Sequence, residues 1–331
     1  YCAVIPRDAR LRYDPDATEI DRILRELRTL GALQSLILSG GEALLSPHID
    51  YVLAESADFV PTRYLITNGT TLGRTQKALL RRHRPRTMVS LDSLSESANA
   101  ATRGGGRSVP AFNTVRWLLG EGIFTIVIMV LTRHNVPTIR DTIIGLYNAG
   151  VRNLLIQQLH CTTKRMRGGF LSALPSTRDV GELHTWLSEF TRTHADAVID
   201  DNEVCFFHRR PSEREQKCAP SCEYLPQRMF MCGAGYNFFA IKANGDVIPC
   251  NALLDAVTGN IHATSIAEIL QHSPVIEGLR ALRTHRVDEI PGCAACGEVA
   301  VCDGGCRADV YNLTDEIGGP HPCCPRLSSG P

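Results

Sequence analysis

Cysteine is the residue type whose number and spacing point most directly to chemistry in this chain of 331 residues. There are 13 cysteines: one at position 2, then none until Cys161, and ten between Cys218 and Cys324. An odd number, in a chain long enough to bury its own core, argues against a secreted disulfide scaffold. The cysteines therefore predict a reduced, cytosolic protein whose thiols bind metal.

The spacing within the cysteine-rich part is typical of metal-binding thiolates. Cys293 and Cys296 have two residues between them and can bind one metal ion, and the pattern continues with Cys302 and Cys306. Cysteines that return in this way can complete a tetrahedral thiolate set. The other cysteines of the pattern are Cys232, Cys250, Cys323 and Cys324. Four-cysteine zinc sites use the same local spacing, so a zinc-binding structural module is an open alternative.

Short motifs of glycine and polar residues follow three apolar runs in the first half of the chain. They are Gly40-Gly41-Glu42, Thr67-Asn68-Gly69 and Ser90-Leu91-Asp92. Paired glycines let the backbone approach a ligand closely, and a carboxylate can accept hydrogen bonds from an ammonium group. Each motif alone is also typical of a turn or of a helix cap.

Alternating helical and extended segments position these motifs. The patterns predict helices over about 17–30, 47–55, 71–82, 110–120 and 137–149, and strands over 34–39, 63–67, 87–91, 124–131 and 152–157. Such alternation predicts βαβ units and a parallel sheet. Because ligands bind at the carboxyl ends of parallel strands, the motifs fall where a site is expected.

Charge and hydropathy exclude two classes of partner. There are 35 Lys and Arg against 35 Asp and Glu, a formal net charge of +0, which argues against a nucleic-acid partner. The longest apolar run, 124–131, is too short to span a bilayer, and no signal peptide is visible. We expect neither nucleic acid nor a membrane to be a partner.

In their order, the front motifs resemble those of the radical S-adenosylmethionine (SAM) enzymes. The resemblance implies that Gly40, Gly41 and Glu42 hold the methionine amino group of SAM. It also matches Thr67-Asn68-Gly69 and an Arg-Gly pair, Arg103-Gly104, whose arginine would pair with the SAM carboxylate. Ser90 and Asp92 would contact the ribose. Ala43 and Ser93 depart from the family's proline and glycine.

The first two residues, Tyr1-Cys2, resemble the end of the family signature Cys-x3-Cys-x-aromatic-Cys. That signature binds a [4Fe–4S] cluster with one iron open to SAM. The resemblance implies that Cys2 is a ligand of this cluster, and that the other two cysteines would precede residue 1.

The cysteine-rich part resembles the SPASM extension of radical SAM enzymes, which holds two auxiliary [4Fe–4S] clusters. The matching sequence segments are Asn244-Gly245-Asp246-Val247-Ile248-Pro249-Cys250 and Cys302-Asp303-Gly304-Gly305-Cys306. For the first cluster the resemblance implies the ligands Cys232, Cys250 and Cys306, with Cys222 or Cys218 as the fourth. For the second it implies Cys293, Cys296, Cys302 and one of Cys323 and Cys324, with Cys323 favoured.

The resemblance also implies a fold and a domain plan. The fold class is α/β: a partial (β/α)6 TIM-like barrel over residues 1–160, followed by the last barrel helix and a linker over 161–217. A small cysteine-rich α+β cluster-binding domain would occupy residues 218–326.

The implied function is that of an oxidoreductase. With an external one-electron reductant, it would generate a 5′-deoxyadenosyl radical from SAM that takes a hydrogen atom from a substrate. The leading hypothesis is maturation of a ribosomally made precursor peptide by a crosslink, epimerisation or oxidation. The alternative substrate is a small molecule, such as an aminoglycoside, for a dehydrogenase or epimerase.

Cys161 closely follows the last predicted strand and is a candidate catalytic residue. A thiol there could donate a hydrogen atom to a substrate radical, as an epimerase requires. The alternative is a small buried thiol packed behind the strand.

Overall fold

The computed structural model describes residues 15–200, 232–297, 299, 302, 304–324, 326 and 327. The chain divides into two compact units. The sheet unit contains the described residues 15–159 and 173–200, and the cysteine-rich unit contains 160–172 and the described residues from 232 onward. The range predicted as last helix and linker is thus divided, because 160–172 belong to the cysteine-rich unit.

The sheet unit is built on six parallel strands in the order β1-β2-β3-β4-β5-β6. They are β1 (Ser35–Leu38), β2 (Thr62–Thr67), β3 (Arg86–Ser90), β4 (Thr125–Leu131), β5 (Asn153–Gln158) and β6 (Val198–Asp200). Each strand pairs with the next, so β1 and β6 are the edges within the described residues. This open, partly wound sheet confirms the predicted α/β class.

Eight helices precede or separate these strands in the sequence, seven of them in the sheet unit and one, the seventh, in the cysteine-rich unit except for its last residue. They are α1 (Ala17–Thr29), α2 (Ile49–Glu55), α3 (Arg74–His83), α4 (Glu96–Arg103), α5 (Ser108–Gly120), α6 (Ile139–Asn148), α7 (Arg167–Ala173) and α8 (Thr177–Thr193). The α1 helix shows why they form where they do. Asp16 and Glu19 make a reciprocal capping box at its start, and Ile20, Leu24 and Leu27 bury one face.

The centre of the sheet unit is β4, whose sequence TIVIMVL is almost continuously apolar. It pairs with β3 on one side and β5 on the other, and five of its seven residues are buried. A strand covered on both faces by crossover helices reads as a continuous apolar run. The core therefore fixes the sheet whose carboxyl edge carries the polar motifs.

The cysteine-rich unit contains a small antiparallel sheet of β7 (Ala240–Ile241), β8 (Asp246–Ile248) and β9 (Gly259–Asn260). Helices α9 (Ile266–His272), α10 (Pro274–Leu282) and α11 (Arg307–Thr314) follow. Its apolar core is small, with Leu253, Leu279 and Leu282 as the largest members of one cluster. Among the helices described in either unit, none has the length and apolar character needed to cross a bilayer.

Candidate functional site

Glu42 joins the loops that follow β1 and β2. Its half-buried carboxylate accepts hydrogen bonds from Thr67 Oγ1 (2.7 Å) and from the backbone nitrogens of Asn68 (2.8 Å) and Leu44 (3.3 Å). The Asn68 side-chain oxygen in turn accepts from the Thr70 backbone nitrogen at 2.7 Å. These bonds hold Glu42 in one orientation at the end of β1, where an ammonium group could be bound.

The glycines of the two loops have different roles. Gly40 and Gly41 are exposed, and no atom lies within 4 Å of the place where a Cβ would stand on either. At Gly69, which has a φ of +72°, a Cβ would lie 2.9 Å from Ala111 Cα. The Gly69 carbonyl also accepts a hydrogen bond from Thr114 Oγ1 at 2.6 Å. Gly40 and Gly41 thus leave open backbone for a ligand, whereas Gly69 lets α5 approach the sheet.

Asp92 does not have the position expected of a ribose contact. Its fully buried carboxylate accepts hydrogen bonds from Thr102 Oγ1 (2.6 Å), the Arg103 guanidinium (2.7 Å) and the Val130 backbone nitrogen (2.9 Å). Because these donors use the carboxylate and none of it is exposed, the geometry gives Asp92 the role of positioning Arg103. Ser90 is half-buried at the end of β3, and the Arg103 side chain is 20% exposed.

Three cysteines of the cysteine-rich unit pack against one apolar cluster: Cys232, Cys250 and Cys306. Burial, with smaller contributions from the charges of Cys306 and Cys232, raises the pKa of the half-buried Cys250 thiol to about 12. Burial and the Cys306 charge also raise the pKa of Cys232. Thiols that raise one another's pKa in this way are costly to ionise without a cation, which is the behaviour of metal ligands before metal binding.

The second group of thiols forms around Cys293. Burial raises the pKa of Cys293, and the charges of Cys324 and Cys296 raise it further. The neighbouring Cys323 responds instead to burial and to Asp309, which raise its pKa to about 11. The charge of Cys324 thus acts on Cys293 and that of Asp309 on Cys323, which favours Cys324 over the predicted Cys323 as the ligand.

Arg307 is a buried cation beside both groups of thiols. Its side chain is 1% exposed, and its guanidinium donates hydrogen bonds to four backbone carbonyls: those of Gly304, Gly305, Ile317 and Gly319. Burial lowers its pKa, which is opposed by the charges of four cysteines: Cys306, Cys232, Cys293 and Cys302. A fixed positive charge in this place would stabilise anionic clusters.

Two further polar residues of α11 hold the segment that follows β5. The Asp309 carboxylate accepts hydrogen bonds from the Cys161 backbone nitrogen (2.7 Å) and from His160 Nδ1 (3.0 Å). Asn312 Nδ2 donates to the carbonyls of Cys161 (2.5 Å) and Ala252 (3.0 Å). Sequence reasoning missed these residues. The available signal was a pair of polar residues three apart, Asp309 and Asn312, in the short helix that follows Cys306.

Cys161 itself is fully buried. Its Sγ donates a hydrogen bond to the Thr163 carbonyl at 3.4 Å. Burial, followed by the Asp309 charge, raises its pKa to about 11. This position gives no support to hydrogen-atom donation to a substrate and matches the alternative of a buried structural thiol. Three other predicted or candidate ligands, Cys2, Cys218 and Cys222, lie outside the described residues.

The strand ends of the sheet unit and the cysteines of the second unit suit the cofactors expected there, SAM and iron–sulfur clusters, for different reasons. The backbone of Gly40 and Gly41 borders open space beside the fixed carboxylate of Glu42, as a ligand with an amino group requires. The cysteine-rich unit offers soft sulfur donors in two groups, which suit iron–sulfur clusters or zinc and do not suit magnesium or calcium.

Comparison with known families decides between these metals. The sequence matches the Radical SAM superfamily over residues 1–143 and the SPASM iron–sulfur cluster-binding domain over residues 232–304. The chain thus contains a Radical SAM domain followed by a SPASM domain. The predicted cofactor classes, SAM and iron–sulfur clusters, are confirmed. The match to an iron–sulfur domain argues against the alternative of a zinc-binding structural module.

Curated relatives share about a quarter of their residues with the chain. The AdoMet-dependent heme synthase of Nitratidesulfovibrio vulgaris is 24% identical over 87% of this chain and 78% of its own length. The subtilosin biosynthesis protein AlbA of Bacillus subtilis is 24% identical over 81% of this chain, which spans only 55% of that relative. The PqqA peptide cyclase of Rhodopseudomonas palustris is 24% identical over 92% of this chain and 77% of its own length.

Solved structures show the same fold. Streptococcus suis SuiB bound to precursor peptide SuiA has a TM-score of 0.70 at 18% identity, covering 94% of this chain and 69% of that one. Native anSMEcpe with bound AdoMet has a TM-score of 0.74 at 13% identity, covering 97% of this chain and 88% of that one. At these identities the likeness establishes the α/β fold.

Proposed function

We propose that this enzyme modifies a ribosomally made peptide by radical chemistry and acts as an oxidoreductase. The observation that carries the proposal is the set of relatives with peptide substrates: the subtilosin protein, the PqqA peptide cyclase and SuiB in complex with a precursor peptide. These relatives match more than four-fifths of the chain, across both matched domains.

In this proposal the carboxyl edge of the parallel sheet binds SAM. The exposed backbone of Gly40 and Gly41 lies along the ligand, and Glu42, fixed by Thr67 and Asn68, accepts hydrogen bonds from its amino group. Together with a reduced [4Fe–4S] cluster, SAM supplies the 5′-deoxyadenosyl radical.

Ser90 and Arg103 act at the next loops along the sheet. Ser90 offers a hydroxyl to the ribose from the end of β3. Arg103 faces the SAM carboxylate with the part of its side chain that is exposed, while the buried Asp92 holds its guanidinium at 2.7 Å. The enzyme's own contribution is thus to orient the ligand in a site built from rigid strand ends.

The cysteine-rich unit holds two auxiliary clusters. The first is bound by Cys232, Cys250 and Cys306 with a fourth ligand, and the second by Cys293, Cys296, Cys302 and Cys324. The choice of Cys324 over Cys323 is supported by its effect on the pKa of Cys293. An external one-electron reductant is needed, and the auxiliary clusters can carry an electron away from an oxidised substrate.

The test uses the full chain, reconstituted anaerobically with iron and sulfide. The reconstituted protein should be brown and absorb at about 400 nm, as iron–sulfur clusters do. With dithionite as the reductant, it should convert SAM to methionine and 5′-deoxyadenosine. The substrate to try first is a short peptide encoded beside the gene for this chain. Mass spectrometry should show a loss of hydrogen mass for a crosslink or oxidation, or a gain of solvent deuterium for epimerisation.

A small-molecule substrate is the second candidate. It is favoured by the likeness to the heme synthase, which covers 87% of this chain. If the peptide stays unchanged while a tetrapyrrole or an aminoglycoside is converted under the same conditions, the peptide proposal is wrong and this second candidate takes its place.

A further inference from the structure

Asn135, in the loop that follows β4, is a fully buried amide with four hydrogen bonds. Its Nδ2 donates to the backbone carbonyls of Asp92 and Val130, at 3.0 Å each. Its Oδ1 accepts from the Thr132 backbone nitrogen at 2.8 Å and from Thr132 Oγ1 at 3.1 Å. A side-chain amide has two N–H donors and two acceptor lone pairs, so these four bonds use its whole capacity. The side chain is therefore held in one orientation.

These bonds lie at the carboxyl end of the pair β3 and β4. A backbone bond from the Leu91 nitrogen to the Ile128 carbonyl, 3.0 Å long, continues the pairing just past β3. Two residues further along β4, side chains take over: Asp92 Oδ1 accepts from the Val130 nitrogen at 2.9 Å, and Asn135 joins the Val130 carbonyl to that of Asp92. Buried backbone groups need such partners where a sheet ladder ends. The closed ring of Asp92, Val130 and Asn135 fixes one strand end against the other.

Asp92 is held at its backbone as well as at its carboxylate. Its backbone nitrogen donates to Asn99 Oδ1 at 3.2 Å, and its carbonyl accepts from Asn135. Its carboxylate accepts from the Arg103 guanidinium at 2.7 Å. The carbonyl and the side chain share one Cα atom, so a rotation of the Asp92 peptide also redirects the carboxylate. Arg103 would follow, because the bond between a guanidinium and a carboxylate is strong and directional.

We propose that Asn135 is a positioning residue for the SAM site: by fixing Asp92, it directs the Arg103 guanidinium toward the carboxylate of SAM. The inference rests on the proposed contact between Arg103 and SAM. Asn135 acts through Asp92 and does not touch the ligand, since none of its surface is exposed.

Two ligands that differ only at the carboxylate test this role. SAM and decarboxylated SAM are titrated by anaerobic calorimetry into the full chain reconstituted with iron and sulfide. The ratio of their dissociation constants measures the preference for the carboxylate. Asn135→Ala should lower this preference about tenfold, because a misdirected hydrogen bond between charged groups loses roughly that factor. The affinity for decarboxylated SAM should stay close to that of the parent.

Ser93→Ala is the matched control. Ser93 is equally buried in the loop after β3, and its hydroxyl bonds to those of Thr138 (2.8 Å) and Thr142 (3.2 Å). The change should lower the free energy of unfolding and keep the parent preference for SAM. A merely structural role for Asn135 would make the two variants alike. If Asn135→Ala keeps the parent preference, or weakens both ligands by the same factor, the inference is overturned.

Thr132→Val is a milder second variant, because it removes the hydroxyl that bonds to Asn135 Oδ1 and keeps the shape of the side chain. The preference for SAM should fall in the same direction by a smaller factor. Should Asn135→Ala fail to fold, an unchanged preference in Thr132→Val overturns the inference.

Arg103→Ala separates this inference from the proposed SAM contact. It should abolish most of the preference for SAM over decarboxylated SAM. If it does so while Asn135→Ala keeps the preference, the positioning role is wrong and the contact stands. If Arg103→Ala itself keeps the parent preference, the contact and the positioning role are both wrong.

Discussion

The two units prepare their sites in opposite ways. In the sheet unit, the carboxylates already have partners within the chain: Glu42 accepts three hydrogen bonds and Asp92 is paired with Arg103. In the cysteine-rich unit, thiols such as Cys250 and Cys293 are gathered in places that raise their pKa. The first arrangement is stable before its ligand arrives. The second reaches its lowest free energy only when metal replaces the thiol protons.

The largest expected effect follows from removing metal ligands in the cysteine-rich unit. Cys293→Ala combined with Cys296→Ala should lower the iron content by about four atoms per chain, because one [4Fe–4S] cluster loses two ligands. Iron and sulfide analysis after reconstitution measures the loss. An unchanged content would remove these cysteines from the second cluster, and zinc in their place would contradict the assignment of the domain.

The adjacent pair Cys323 and Cys324 allows a sharper test of the same unit. Cys324→Ala should lose the second cluster, because it is the charge of Cys324 that acts on Cys293. Cys323→Ala is the matched control and should keep the full iron content. The reverse result would restore the preference that the sequence suggested.

Asp92→Asn tests whether the ion pair between Asp92 and Arg103 stabilises the sheet unit before a ligand binds. Removing the charge leaves Arg103 without its buried partner, so the free energy of unfolding should fall by about 3 kcal/mol. Urea denaturation monitored by circular dichroism measures it. Ser90→Ala should leave this stability nearly unchanged and weaken SAM binding, and equal destabilisation by both changes would refute the distinction between them.

The same Gly→Ala change at two positions of the sheet unit distinguishes a glycine needed for packing from a glycine needed for ligand binding. Gly69→Ala should cost about 2 kcal/mol, because a Cβ at positive φ would meet α5. Gly41→Ala has open space around it and should change stability little, but it should weaken SAM affinity, measured by calorimetry. A large stability loss at Gly41 would show that its loop is packed and not open.

The smallest effect is expected at Cys161. Cys161→Ala removes one buried sulfur and should cost about 1 kcal/mol in stability, with SAM cleavage and product formation close to the parent rates. Product analysis by mass spectrometry is the measurement. If SAM is cleaved but no product forms, the thiol donates a hydrogen atom after all.

Much of the sheet could be predicted from sequence, because β1 to β5 are mainly apolar runs of four to seven residues, of which β4 is the clearest. The exception was β6, which has three residues of which two are exposed, so it has no apolar pattern. The α4 helix was also missed, because its sequence ESANAATR has almost no apolar face.

The site was predictable where residue type alone determines chemistry. The charges of Cys306 and Cys232 act on Cys250 and those of Cys324 and Cys296 act on Cys293, which agrees with the two groups that the family resemblance implied, and the Gly40-Gly41 backbone is open. The sequence could not show that Asp92 is hydrogen-bonded within the protein and does not face a ligand. Nor could it show which of the two adjacent cysteines acts on Cys293, because both depend on side-chain direction. Nor could it show that Asp309 meets His160, since 149 positions separate them.

That separation has a consequence for how the protein is made. The bonds from α11 to Cys161 span 148 and 151 positions of the chain, so they can form only after the segment up to Asn312 has left the ribosome. Among the described residues, the strands of the parallel sheet end at Asp200, so the sheet can fold earlier during synthesis. Closure of the cysteine-rich unit is therefore a later event than formation of the sheet, and the time between the two is an interval in which cluster-assembly machinery has access to the thiols.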